Sequence, residues 1–284
     1  MKKLMIALAS VLLLAATFVL ALPTILHKAG LHPEYLGPKV SLQNKRALVI
    51  TTSHDVLAAL GETEGPATGV VASEMTHPYY VFVDGGMQVD VASIKGGKIP
   101  IAPDSLSRMS ATPQTKRFLE DSIFQAKVDK SIKIDAIDVS DYDIIFLAGG
   151  WGAAYDLGYS TVLAQKISGA YYADNKPVIG GVCHGVLGLI NAKDRDGNLL
   201  IAGRRMTGVS DKQIRELKIE ITPQHPETEL RKAGALYQSQ TAFRDMFATH
   251  VVVDNEQRFV TGQNQNSGLE TAHKMMQIIA ERGQ

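Results

Sequence analysis

The chain has 284 residues, 45% hydrophobic and 20% charged, a globular composition large enough for one well-buried core. Its 29 basic and 29 acidic residues give a formal net charge of zero, and no basic tract or aromatic–basic stripe occurs, which argues against nucleic acid as a partner. A single cysteine, Cys183, excludes an intrachain disulfide and any multi-cysteine zinc or iron–sulfur centre.

The N-terminus differs in kind from the rest. Lys2 and Lys3 precede an uncharged apolar run from Leu4 to Leu22, longer than a usual signal-peptide core and about long enough to span a bilayer. Residues 1–22 therefore read as a signal anchor or signal peptide. Val19-Leu20-Ala21 is a weak cleavage site, and the retained anchor is the preferred reading. Lysines ahead of the span are expected to stay cytoplasmic, which puts the remaining chain outside the cytoplasm. Residues 23–44 carry prolines and glycines without a clear period and read as a linker, with a short helix around Ile25 to Ala29. Residues 45–284 read as one catalytic domain.

Within that domain Arg46 to Thr52 is a β-branched apolar run that suits a buried parallel strand. Thr68 to Phe82 has helical spacing, Gly85-Gly86 is a turn, and Met87 to Ser93 alternates as a strand. Pro113 to Phe124 reads as a helix. Tyr142 to Ala148 is a second fully apolar strand that ends in Gly149-Gly150-Trp151-Gly152. Thr161 to Tyr172 is helical, and Pro177 to Val182 is a third buried strand. Asp194 to Asn198 is a turn flanked by strands, and Glu227 to Lys232 is helical. His250 to Asp254 and Phe259 to Gly262 form a hairpin, and Leu269 to Ala280 is a closing amphipathic helix. Strands alternating with helices imply an α/β fold with a doubly wound, mostly parallel sheet, whose sites lie beyond the carboxyl ends of the strands.

Cys183 stands at one such end. Gly181-x-Cys183-x-Gly185, followed by an apolar helical pattern, is the cysteine form of a nucleophile elbow. Flanking glycines permit the sharp turn, and a helix N-terminus beneath the sulfur, with a carboxyl partner, is expected to depress the thiol pKa. The scattered histidines show no metal-ligand spacing, so no metal is expected. The glycine turn lacks a dinucleotide fingerprint, and no cofactor is expected.

Ala148-Gly149-Gly150, Cys183-His184-Gly185, Glu74 within Ser73-Glu74-Met75, Pro78-Tyr79, Tyr155-Asp156, Thr207-Gly208 and Val260-Thr261-Gly262-Gln263-Asn264 together resemble the ThiJ/PfpI superfamily. The nearest likeness is to its branch of glutathione-independent glyoxalases (glyoxalase III, or D-lactate dehydratase) and heat-shock chaperones. The resemblance spans about Arg46 to Ile279 and implies a flavodoxin-like three-layer sandwich. It further implies a nucleophile at Cys183, a proton-relaying carboxyl at Glu74 and an acid/base partner at His184. The backbone N–H groups of Trp151 and His184 correspond to an oxyanion hole. The substrate it implies is a small carbonyl compound, and a homodimer is among the assemblies it admits. Trp151 departs from the pattern, since relatives usually carry histidine there. The acidic residue that orients the histidine is left open, with Glu216 as the nearest candidate. His225-Pro226-Glu227 resembles the histidine motif of glutamine amidotransferases but comes too soon after Cys183, and it reads as a helix start. A cysteine peptidase or amidase, and a membrane-tethered chaperone, are the alternatives.

Overall fold

The computed structural model describes residues 2–283; Met1 and Gln284, the outer ends of the expected anchor and domain, lie outside it. Its elements in chain order begin with helix α1 (Lys2–Lys28), strand β1 (Arg46–Thr51), α2 (Ala72–Asp84), β2 (Gln88–Ser93), α3 (Pro113–Glu120), α4 (Ser122–Asp129), β3 (Ile132–Lys133) and β4 (Ile144–Leu147). They continue with α5 (Ala153–Asp156), α6 (Thr161–Tyr172), β5 (Val178–Val182), β6 (Arg205–Met206), α7 (Asp211–Leu217) and α8 (Pro226–Lys232). The last are β7 (Leu236–Tyr237), β8 (Val251–Val253), β9 (Phe259–Gly262) and α9 (Gly268–Arg282).

Seven strands form one sheet in the order β3-β2-β1-β4-β5-β9-β8, and only the β8–β9 pair is antiparallel. The two-residue period of a strand sends alternate side chains to opposite faces. Ala47 and Val49 of β1, with Ile144 and Phe146 of β4, pack beneath α2 and α9 beside Phe82, Met275 and Met276. Leu48, Ile50, Ile145 and Leu147 point the other way, against Leu163 and Ile167 of α6 and Leu187 beyond the elbow. Both faces are thus covered, as a parallel sheet requires, and the chain is a flavodoxin-like three-layer sandwich. From β1 the sheet grows one way through β2 and β3, and the other way through β4, β5 and β9. The crevice at that reversal is where such folds place ligands.

Several boundaries differ from those expected. Thr68 to Val71 is extended rather than helical. Gly69 has φ +150°, and a β-carbon there would meet the Pro100 carbonyl at 2.1 Å, while Val70 pairs with Ile101. The helix expected over Pro113 to Phe124 is two, because Asp121 turns its side chain onto the N–H groups of Ile123 and Phe124 and caps a new start. Only a single bridge, Lys193 to Leu199, stands where strands were expected around Asp194 to Asn198. After Cys183 the chain enters a seven-residue 3-10 helix, Cys183–Leu189, rather than a regular α-helix.

Helix α1 runs through Pro23 to Lys28, so the first residues expected in the linker continue the helix. Leu8–Lys28 is long and apolar enough to cross a membrane, with mean hydropathy 2.3 and none of it buried against the domain. The segment after it is docked: Leu31 and Leu42 are buried, and Tyr35 stacks on His273 of α9 with ring centroids 4.2 Å apart.

Candidate active site

Strand β5 delivers Cys183 at its carboxyl end in left-handed backbone geometry, φ 57°. Only an over-determined turn holds a non-glycine residue there. Cys183 is 6% exposed and lines a cavity of about 180 Å³ at the sheet's reversal. Glu74 comes from the first turn of α2, His184 from the elbow and Trp151 from the turn after β4, and all three line the same cavity.

Packing around the carboxyl is close. A β-carbon on Gly149 would stand 2.4 Å from Glu74 Oε2 and 2.8 Å from the Gly185 nitrogen, so the glycine is what admits the carboxyl beside the elbow. Glu74 is 1% exposed, and its Oε2 has no hydrogen-bond partner. Burial pushes its pKa up to about 8, against the opposing pull of the Cys183 thiol and the Gly149 N–H. A helix N-terminus favours a carboxylate by only about 0.3–1 kcal/mol, too little to offset desolvation.

Burial, then the Glu74 charge, raises the thiol pKa as well. The expectation of a depressed thiol pKa is therefore not met. What favours the thiolate is a pair of backbone N–H groups, from His184 and Gly150. The turn after β4 thus presents the Gly150 N–H to the sulfur, and among the described residues no backbone acceptor takes the N–H of Trp151.

His184 Nδ1 lies 3.4 Å from the sulfur, while its Nε2 is buried without a partner. Burial and the neighbouring His225 lower its pKa to about 3, so the ring is neutral. His225 sits at the start of α8, with Pro226 in its first turn, as a helix start predicts. The fold also brings it beside His184, and its own Nε2 has no partner; sequence spacing held no sign of this proximity. Glu216 lies elsewhere. Its Oε2 accepts the Asp245 N–H at 2.8 Å and its Oε1 is 3.6 Å from Lys212, so it does not meet His184. Ser73, whose Oγ is also unpartnered, and Leu31 and His32 line the cavity without having been singled out from the sequence. Ser73 was findable as the neighbour of Glu74; Leu31 and His32 reach the site only through long-range docking.

The phrase Tyr155-Asp156 has a structural part in the site. The Ser53 N–H donates to Asp156 Oδ2 at 2.7 Å, and the Tyr155 ring stacks on His54 at 4.1 Å, which fixes the loop after β1 beside the glycine turn.

These features define a class: a flavodoxin-like α/β protein with a cysteine on a strand-terminal elbow and a buried acid beside it. The model of the DJ-1/PfpI family matches residues 66–278, and the chain belongs to that family. Glyoxalase 3 of Candida albicans is 29% identical over 229 residues, 75% of this chain and 91% of that protein. Glutathione-independent glyoxalase HSP31 of Saccharomyces cerevisiae is 31% identical over 172 residues, 59% of this chain and 69% of the relative. Among solved structures, Rapid Encystment Protein 24 KDa of Francisella tularensis superposes with a TM-score of 0.74 at 32% identity, covering 83% of this chain and 99% of the other. Glyoxalase III of Candida albicans does so with a TM-score of 0.71 at 26% identity, covering 82% and 96%.

Proposed function

We propose that the protein is a cofactor-independent, glyoxalase III-like enzyme that converts small reactive carbonyls, with methylglyoxal to D-lactate as the model reaction. The observation that carries this reading is that the Cys183 thiol, the buried Glu74 carboxyl and the His184 ring line one small cavity. Relatives named as glutathione-independent glyoxalases support it.

The pair works from the state in which it holds one proton. The sulfur attacks the aldehyde carbon and forms an S–C bond as the carbonyl oxygen takes the Glu74 proton, giving a hemithioacetal and a carboxylate. That carboxylate removes the proton from the former aldehyde carbon and passes it to the neighbouring ketone oxygen, giving an enediol. It then takes the hydroxyl proton from the sulfur-bearing carbon, whose C–O becomes a carbonyl, and delivers it to the adjacent carbon. The product is a 2-hydroxy thioester. His184, held neutral, takes a proton from water as the water attacks the thioester carbonyl, and returns it to the departing sulfur. In this reading the N–H groups of Trp151 and His184 stabilise the oxyanion; that no backbone acceptor takes the Trp151 N–H among the described residues supports the first of these. The overall change is addition of one water to the dicarbonyl, with no external oxidant or reductant. Because Glu74 titrates near 8, the one-proton state gains population as pH rises from 6 to 8, and turnover should rise with it.

Lactate release from methylglyoxal without glutathione, by the full chain in detergent, tests the assignment. Absence of lactate together with cleavage of peptides by the same thiol would replace it with the hydrolase reading. We further propose that α1 holds the protein at a membrane with the domain outside the cytoplasm, supported by its apolar length and the lysines ahead of it. Carbonate washing followed by protease treatment of intact spheroplasts checks this. A domain degraded only after lysis would overturn the orientation.

A further inference from the structure

We infer that Leu31 and His32, on the segment just after the apolar helix, are specificity-determining residues: they form one wall of the Cys183 cavity and restrict it to short, compact carbonyl compounds. The inference rests on the proposed carbonyl chemistry for its substrate class, but its geometry stands independently.

Both residues line the cavity that holds Cys183, Glu74 and His184. Leu31 is 5% exposed although its segment has no strand or helix to hold it. What holds it is Asn266, in the turn between β9 and α9. Its Nδ2 donates to the Gly30 carbonyl at 2.8 Å, and its Oδ1 accepts the His32 N–H at 2.7 Å. Two bonds from one amide, on either side of Leu31, fix that residue's position. Asn266 is itself anchored, its N–H donating to Asn264 Oδ1 at 3.0 Å. On the other side, the Leu31 N–H returns to the Leu26 carbonyl at 3.0 Å and the His27 ring meets the Leu31 carbonyl at 2.9 Å, so the segment is tied to both the helix and the domain.

His32 pays a conformational cost for its place, with φ 52°. Its ring packs edge-on against His77, centroids 5.7 Å apart. His77 lies three residues after Glu74 on α2, so His32 bears on the same helix that supplies the carboxyl. Burial keeps both rings neutral, with pKa values lowered to about 4 and about 3, so no charge repulsion opposes the contact near neutral pH.

The cavity lining combines apolar residues, Leu31 and Trp151 among them, with the thiol of Cys183, the carboxyl of Glu74 and the imidazole of His184. A dicarbonyl with a small apolar tail satisfies both parts. A bulky tail collides with the wall, and an extended peptide does not pass it.

The test uses the single thiol as its own probe. The full chain in detergent is labelled at Cys183 with iodoacetamide and, separately, with fluorescein maleimide, in wild type, Leu31→Ala and Asn266→Ala. The ratio of bulky to small labelling rates should rise about tenfold in the variants, the shift expected from losing one or two net hydrogen bonds or a buried side chain. An unchanged ratio in variants that keep a cooperative thermal transition overturns the inference; should Asn266→Ala not fold, Leu31→Ala decides alone. In parallel, kcat/KM for phenylglyoxal relative to methylglyoxal should rise in Leu31→Ala, and a constant ratio counts against the wall. A wild type without glyoxalase turnover whose labelling still responds to the variants would sink the proposed reaction and leave the wall standing.

Discussion

Two buried acids near the carboxyl ends of the strands have opposite fates. Asp245 is 2% exposed, as hidden as Glu74. Burial alone would raise its pKa, but bonds from Lys212, Ser210 and Thr241 outweigh that, and Asp245 is held below the usual carboxylate range. Ser210 donates to Oδ2 at 2.7 Å, Lys212 and Thr241 to Oδ1 at 2.7 and 2.8 Å. Asn264 closes the same network by donating to the carbonyls of Asp245 and Ala248, both at 2.9 Å. In the site, by contrast, Ser73 Oγ, Glu74 Oε2, and Nε2 of His184 and of its neighbour His225 are left without partners. A fully bonded acid supports the fold and has nothing left to offer a ligand. An acid buried with one oxygen unpartnered has its pKa raised and keeps that oxygen available to a ligand, at a cost to the fold.

Four substitutions sharpen that contrast. Cys183→Ala should abolish glyoxalase turnover by ~10³-fold or more while the melting temperature changes little, read from lactate release and calorimetry. Activity retained in this variant would move the chemistry away from the elbow.

Glu74→Gln should lower kcat by about 10²–10⁴-fold, the usual worth of a positioned acid/base. It should also stabilise the protein at alkaline pH. A carboxyl whose folded pKa is raised from 4.5 to about 8 contributes its full stability below pH 4.5, and that contribution is lost as pH rises toward 8, because the native state then binds the extra proton. The melting temperature of Glu74→Gln should thus exceed that of wild type at pH 8 and approach it near pH 5. A difference independent of pH would mean that Glu74 is already ionised at neutrality.

Asp245→Ala should do the reverse of Glu74→Gln. Removing the hub of a bonded network costs about 3 kcal/mol or more in stability by denaturant unfolding, with kcat of the folded fraction almost unchanged. Glu216→Gln should cost about 1 kcal/mol, the worth of one hydrogen bond, and lower kcat less than about threefold. A tenfold loss of kcat with unchanged stability would make Glu216 the partner of His184 despite its distance.

Local patterning carried the sheet. The apolar strands at Arg46, Tyr142 and Pro177 and the elbow at Cys183 were legible because a doubly covered parallel strand must be apolar on both sides. The helix start at Pro226 was legible from proline chemistry. Thr68 to Val71 misled, since its helical spacing gives way to a backbone pairing with Ile101. The break at Asp121 was visible only as an aspartate within a periodic run. In the site, Cys183, His184, Glu74 and Trp151 were found through motif resemblance and do share one cavity. The raised pKa of Cys183 was not legible, because desolvation belongs to the whole enclosure rather than to the elbow. Nor were Leu31, His32 and His225, whose approach to the site depends on contacts between distant parts of the chain.

The depth of Cys183 also bears on how the thiol meets oxidants. With Cys183 6% exposed in a cavity of about 180 Å³, hydrogen peroxide should reach the sulfur faster than a tripeptide disulfide does. With no second cysteine in the chain, internal disulfide formation offers no route to inactivation. Loss by oxidation should then run mainly through sulfenic acid and its higher oxides, and mass spectra after incubation with hydrogen peroxide and oxidised glutathione together should show those oxides in excess of the glutathione adduct.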